Sequence, residues 1–272
     1  MAEKVFEARD LGCTYPGEIE ALCGLNLSIE AGEKVAFLGA NGSGKSTLLR
    51  LMDGLAFPSR GQLLAFGHPL SEELLCDGDL AFSFRRRVGL VFQDPDVQLF
   101  SATVGEEVAF GLLQLGLPRE EMEDRLRAGL ALLGIEHLRE RPPYRLSTGE
   151  KKKVALASVL ALEPQVLLLD EPTAGLDPKA QSWLVDFLGE WHREDRTLIT
   201  ATHDLDILEE IADTVYVLDE THRLAAYGTP AGVLAQTEFL LRTNLIHEHS
   251  HRHNGTVHSH PHRHLRFHEH AH

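Results

Sequence analysis

Nine consecutive residues constrain this chain more than any other stretch: Gly39-Ala40-Asn41-Gly42-Ser43-Gly44-Lys45-Ser46-Thr47. They satisfy G-x-x-x-x-G-K-[ST] and stand between an apolar run, Val35 to Leu38, and a helical segment from about Lys45 to Met52 that Gly54 closes. A strand that turns through glycines into a helix belongs in an α/β fold, where the helix covers a sheet face. The glycines let backbone N–H groups turn inward around a phosphate, and the helix N-terminus adds positive potential. Lys45 reaches the β- and γ-phosphates, and Ser46 offers a hydroxyl to Mg²⁺.

The rest of the chain agrees with that frame. Val5 to Ala8, Leu25 to Ile29, Gln62 to Phe66 and Val88 to Phe92 read as strands, whereas Val104 to Ala161 carries helical spacing and reads as an inserted helical lobe. From Val166 onward strands (VLLLD, TLITAT, TVYVLD) alternate with helices near Lys179 to Arg193 and Leu205 to Ala212, as expected of a mainly parallel sheet. Asp170 ends the most apolar of these strands, with Glu171 next. Asp170 is placed to hold the Mg²⁺ shell, and Glu171 to orient or deprotonate a water attacking the γ-phosphate.

Charge and composition narrow the function. The formal net charge is −15, which opposes general binding to nucleic acid. The first thirty residues lack a basic segment followed by an apolar one, so no secretory signal and a cytosolic location are expected. The longest apolar run, Val154 to Leu162, falls far short of the roughly 20 residues that span a bilayer. Cys13, Cys23 and Cys76 form no C-x-x-C pair and read as reduced packing thiols. Lys151 to Lys153 reads as a solvated helix face.

A P-loop with a downstream acid leaves kinases, GTPases and transport ATPases open. Further residues carry a specific resemblance. Leu146-Ser147-Thr148-Gly149-Glu150, before the helical run and shortly before VLLLDEP, resembles the LSGGQ signature of the ATP-binding cassette (ABC) family. The order continues as in that family, with Gln93 after a strand, Ala174-Gly175-Leu176-Asp177 after Glu171, His203 after TLITAT, and Tyr15 upstream of the P-loop. The resemblance covers roughly residues 3 to 232. It implies the ABC ATPase fold over 1–243: an α/β, P-loop RecA-like core with an antiparallel β subdomain and an inserted α-helical subdomain at about 95–160. It implies ATP and Mg²⁺ as ligands, with Gly39, Asn41, Gly42, Ser43, Gly44, Lys45, Ser46 and Thr47 on the phosphates and Tyr15 stacked on adenine. Ser46, Gln93 and Asp170 would hold Mg²⁺; Glu171, His203 and Gln93 would be catalytic. Two such domains close head to tail, so Ser147, Thr148, Gly149 and Glu150 would contact the partner's ATP, with Asp177 in the adjoining loop. A homodimer is the default.

Thr148 and Glu150 depart from the family's usual Gly and Gln. Thr148 lacks glycine's freedom at positive φ, so it is compatible with the loop only if the position is helical or extended. Glu150 brings a negative charge toward ATP unless it faces the lysine run or solvent. A nickel-delivering GTPase would need an N-K-x-D guanine-reading motif, which is absent, and a soluble repair or translation ATPase would show two cassettes or a long coiled insertion.

Gln93 to Phe100, Thr103-Val104 and Glu106 to Gly111 resemble ATPases of energy-coupling factor importers. That implies two membrane partners, a scaffold subunit and a substrate-binding subunit, and a peripheral place on the cytoplasmic membrane face. Val97 and Phe100 are the candidate scaffold contacts, with internal packing as the alternative. From Asn244 to His272 the chain holds 11 of its 16 histidines and reads as a disordered tail. His247, His249, His251 and His253, then His258, His260, His262 and His264, then His268, His270 and His272 alternate with other residues. Neutral imidazoles suit Ni²⁺ or Co²⁺, so cobalt or nickel is the expected cargo, with a vitamin or other cargo the alternative.

Overall fold

Two sheets and a helical lobe meet around the end of one central strand. The computed structural model describes residues 3–192, 196–253 and 256–262. Strands β1 (Lys4–Tyr15), β2 (Ile19–Glu30), β4 (Arg60–Ala65) and β5 (His68–Pro69) form an antiparallel sheet in the order β2-β1-β4-β5. Strand β3 (Lys34–Leu38) belongs instead to a second, six-stranded sheet. Its companions are β6 (Val88–Val91), β7 (Val166–Asp170), β8 (Thr197–Thr202), β9 (Thr214–Leu218) and β10 (Leu224–Gly228), in the order β10-β9-β3-β8-β7-β6. All its pairings are parallel except β9–β10. Every residue of β7 and β8 is buried, which explains their lack of polar alternation: both faces are covered.

Helix α1 (Lys45–Met52) leaves β3 and packs between the two sheets, its Leu48, Leu49, Leu51 and Met52 joining Phe6, Ile29 and Phe37 in the first core. Two helices with no sequence-based assignment follow, α2 (Glu72–Cys76) and α3 (Gly78–Arg87); Ser71 and Asp77 cap them. The helical lobe comprises α4 (Val104–Gln114), α5 (Arg119–Leu132) and α6 (Thr148–Leu160). Its core includes Val108, Leu112, Leu130 and Leu156 and continues into α7 (Pro178–His192) through Leu184 and Leu188. A third core gathers α8 (Leu208–Ile211), α9 (Pro230–Leu234) and α10 (Thr237–Arg242) on the other face of β3 and β9. Among the described residues no helix is long and apolar enough to cross a membrane.

Two readings of the sequence change here. The composition shift at Asn244 is not the edge of the packed unit, because Leu245 and Ile246 are buried in the third core. Beyond them, β11 (His247–His253) and β12 (Thr256–His262) pair as an antiparallel two-stranded ribbon where a disordered tail was expected. Composition argued for disorder, but the strict alternation of histidine with other residues is also the period of a strand. His264, His268, His270 and His272 lie outside the described residues. Of the cysteines, Cys13 packs in the core, Cys23 is partly buried and Cys76 is exposed, so the packing role holds fully only for Cys13.

Candidate functional site

The P-loop connects β3 to α1 at the carboxyl end of the parallel strands, the edge where open α/β sheets bind ligands. Gly44 precedes the helix at φ 108°, and a Cβ there would collide with the Ala21 carbonyl oxygen, so only glycine fits. Gly42 is also left-handed, at φ 85°. Helix α1 has no side-chain cap, so its first amides stay available. Among the described residues the Ser43 hydroxyl, buried in this cradle, has no hydrogen-bond partner, as fits a group awaiting a phosphate oxygen. Lys45 folds back to donate to the carbonyls of Gly39 (2.7 Å) and Ala40 (3.2 Å). The loop opens into a cleft of about 520 Å³ lined by Tyr15, Asn41, Ser46, Gln93 and Glu171 among others. The Tyr15 hydroxyl lies 3.2 Å from Thr47 Oγ1.

Strand β7 brings both acids to the cleft. Ser46 donates to Asp170 Oδ1 at 3.0 Å, the hydroxyl and carboxylate that a Mg²⁺ ion would share with Gln93 at the cleft edge. Burial pushes the Asp170 carboxyl above its ordinary range despite that hydrogen bond, and a buried carboxylate beside a hydroxyl is the oxygen-donor chemistry a divalent cation takes. Among the described residues no group of three or more His, Cys, Asp or Glu forms a metal cluster, so such an ion would need substrate oxygens too.

Glu171 is 4% exposed and holds φ 43°, a strained value that turns its carboxylate back toward the cleft. Its Oε1 meets His203 Nδ1 at 2.9 Å and Lys45 Nζ at 3.3 Å, while Thr202 Oγ1 donates to Oε2 at 3.4 Å. Burial raises the Glu171 carboxyl, but His203 and Lys45 together outweigh it and hold the group below the usual range. The same hydrogen bond raises His203 above the ordinary imidazole value. Lys45 from α1, Thr202 from the end of β8 and His203 just after it thus share the one carboxylate that follows β7.

The signature residues stand away from this cleft, at the start of α6. Ser147 caps the helix and Glu150 completes a capping box: Ser147 Oγ accepts from the Glu150 amide (3.3 Å), and Glu150 Oε2 accepts from the Ser147 amide (2.8 Å). The S-x-x-E spacing was a legible signal for it. Glu150 therefore has a partner other than the lysine run, and the Ser147 hydrogen bonds hold its carboxyl below the usual range. Thr148 is the first helical residue, so it needs no glycine-like φ and carries no strain. It faces the Ala174–Asp177 loop, where a Cβ on Gly175 would sit 3.7 Å from Thr148 Cγ2. Asp177 accepts from the Ala180 amide at 2.9 Å and so starts α7.

The lysine run is not a solvated face. Lys151 pairs with Asp96 at 2.6 Å, and Lys153 lies 4.1 Å above the Trp183 ring. Lys152 is 2% exposed and donates to the backbone carbonyls of Gln93 (2.8 Å) and Phe92 (3.4 Å). Burial pulls its ammonium down to about 8 against the attraction of Asp170, Asp94 and Glu171. Helix α6 is buried on several sides, so charge alone did not reveal where its lysines point. Sequence reasoning also passed over Glu107, whose buried carboxylate accepts from the amides of Phe100 (2.9 Å) and Ser101 (2.7 Å) and fixes that loop. His222, in the turn after β9, lines the nucleotide cleft with no local signal to mark it.

Val97 and Phe100 are 70% and 66% exposed, not internal packing residues. Phe100 packs edge-on against Phe110, 4.8 Å between centroids, and with exposed Leu113 they form an apolar surface on the helical lobe.

Residues 22–174 match the ABC transporter family. The chain belongs to that family. The cassette is 52% identical to the nickel import ATP-binding protein NikO of Rhodobacter capsulatus over 244 residues, which cover 89% of this chain and 95% of NikO. It is 44% identical to the energy-coupling factor transporter ATP-binding protein EcfA of Methanoculleus marisnigri, over 89% of this chain and 85% of that one. Among solved structures, cbiO1 of Clostridium perfringens, described as part of the ABC transporter complex cbiONQ, superposes with a TM-score of 0.76 at 41% identity, covering 89% and 95% of the two chains. The cassette is thus an ATPase that couples hydrolysis to transport.

Proposed function

We propose that this cassette is the ATP-hydrolysing subunit of an energy-coupling factor importer for Ni²⁺ or Co²⁺, acting as a homodimer on the cytoplasmic membrane face. The observation that carries the catalytic part is the Glu171 carboxylate shared by Lys45 and His203 beside the Ser46–Asp170 pair. When ATP enters, Lys45 leaves Glu171 for the β- and γ-phosphates, and the Ser43 hydroxyl and α1 amides complete the cradle. Glu171, still held by His203, then faces the γ-phosphate as the base for water. A Mg²⁺ ion held by Ser46, Asp170 and Gln93 would neutralise phosphate charge. Tyr15 stacks on adenine.

One chain supplies only half of this site, because the signature is not in the cleft lining. Ser147 and the Gly149 amide at the N-terminus of α6 serve the nucleotide held by the second copy, with Thr148, Glu150 and Asp177 shaping the contact. Closure around ATP and opening after hydrolysis then move whatever is docked on the helical lobe. The Val97–Phe100–Phe110–Leu113 surface fits a helix of a membrane scaffold subunit that also holds a substrate-binding subunit. Metal as cargo is supported by the names of NikO and by the histidine-rich tail, which would gather the ion.

The test is uptake by vesicles containing the cassette with its membrane subunits. ATP-dependent entry of ⁶³Ni²⁺ or ⁵⁷Co²⁺ is expected, and it should stop when Phe100→Asp detaches a cassette that still binds ATP. Uptake of a vitamin with no metal transport would overturn the cargo.

A further inference from the structure

Helix α6 begins at the signature and, one turn later, meets the segment that carries Gln93. Three of its residues reach that segment. Lys151 pairs with Asp96 at 2.6 Å, Lys152 donates to the backbone carbonyls of Gln93 (2.8 Å) and Phe92 (3.4 Å), and the Ala155 carbonyl accepts from Gln98 Nε2 at 3.1 Å. Gln98 closes the circuit, because its Oε1 accepts from the Phe92 amide at 3.1 Å. The main chain at residues 92 and 93, just past the end of β6, is thus tied to α6. The Gln93 side chain takes no part in these ties: it lines the nucleotide cleft and, among the described residues, makes no hydrogen bond.

Lys152 is the costly member of the set. Lys151 has a carboxylate partner, whereas Lys152 is buried against two neutral carbonyls and, among the described residues, forms no ion pair. Burial disfavours its ammonium, and a methionine of similar length would fill the space without that cost. Stability alone therefore does not account for a lysine here. An ammonium carries three donors, and the carbonyls they hold stand where the chain leaves β6 for the cleft. Ser147 lies five residues before Lys152 on the same helix, an axial rise of about 7.5 Å, so the two move as one body. We infer that Lys152 is a positioning residue that fixes the Gln93 backbone to the signature helix, so that Gln93 takes its place at the nucleotide only when α6 takes its own. In a head-to-tail dimer α6 meets the partner's nucleotide while Gln93 serves its own, and the tie carries the state of one site to the other. This rests on the proposed role of Gln93 at the nucleotide, and adds what sets its position.

Lys152→Met keeps the length of the side chain and removes its donors. Because it also removes a buried charge, the thermal midpoint should not fall. In the full chain assembled with its membrane subunits, kcat should drop roughly tenfold, while KM and the ATP affinity of the full chain alone change less than about twofold, since misplacing a group costs rate more than ground-state binding. Lys152→Arg, which keeps charge and donors, should restore most of kcat. A cycle with Gln93→Ala decides whether the effect passes through Gln93: without that side chain, Lys152→Met should change kcat by less than about twofold. If Lys152→Met folds poorly, Lys152→Gln, which loses only the charge and some length, takes its place in the same cycle. Normal turnover of the Lys152 variant, or an equal fall with and without the Gln93 side chain, would overturn the inference and leave the proposed site intact. Normal turnover of Gln93→Ala alone would instead remove Gln93 from that site and take this inference with it.

Discussion

Two helix N-termini in this cassette serve phosphate in the proposed function, and they are prepared in opposite ways. Helix α1 begins at a left-handed Gly44 with, among the described residues, no side-chain cap, beside a Ser43 hydroxyl with no partner there. Helix α6 begins at Ser147, whose hydroxyl and amide are both engaged by Glu150. The first is a preformed cradle whose unsatisfied donors cost stability until a phosphate arrives. The second is satisfied by itself and exposed, so it can wait in an isolated chain and exchange internal hydrogen bonds for a partner's nucleotide. Under the proposed function, one end stores binding energy for ATP and the other makes ATP sensing conditional on assembly.

The strongest way to break this contrast is at the carboxylate the cradle holds ready. Glu171→Gln should leave ATP binding largely intact while hydrolysis in the assembled complex falls roughly 10²-fold or more. Near-normal turnover would remove Glu171 from the chemistry. The same variant should lower the His203 titration seen by NMR, because the hydrogen bond that raises it is weakened.

Lys45→Ala and Ser147→Ala compare the two ends directly. A lost charge-assisted phosphate contact is worth about 1.5–3 kcal/mol, so Lys45→Ala should weaken ATP binding by the single chain by roughly one to two decades. Ser147→Ala should leave that single-chain affinity unchanged and lower turnover only in the dimer. Equal loss of single-chain binding in both variants would show that the ends are not separate.

Thr148→Gly tests what the α6 end tolerates. Because Thr148 is already helical, glycine relieves nothing there and should destabilise the chain by no more than about 1 kcal/mol, with turnover changing little. A large gain in ATPase activity would reinstate strain at that position.

The smallest effect sharpens the contrast by pH. The folded-state pKa of Glu150 is depressed, so its cap is fully present above the ordinary carboxylate value of about 4.3 and is lost as pH falls through the lowered one. Amide exchange at the start of α6 should therefore rise in acid, with no matching change at α1. Glu150→Gln, which keeps the box, should flatten that dependence.

Much of this was legible from sequence because the signals are local. The P-loop, VLLLDE and the signature each need only neighbouring residues, and helix α1 was read with its observed ends because Gly44 and Gly54 bracket one apolar face. The Ser147–Glu150 box and the histidine alternation of β11 and β12 were equally local, and composition outweighed them: charge drew attention from the cap, and histidine content from the period of two.

What the sequence by itself determined is the inventory of chemistry: a phosphate loop, two acids, a histidine and a signature in family order. Only the tertiary structure decided that Lys45 and His203 share the Glu171 carboxylate, that Lys152 is buried against the Gln93 backbone, and that Val97 and Phe100 face outward. Those are contacts between distant segments, set by strand order and helix packing. No local period encodes them, because burial depends on which surfaces the rest of the chain brings to meet a side chain.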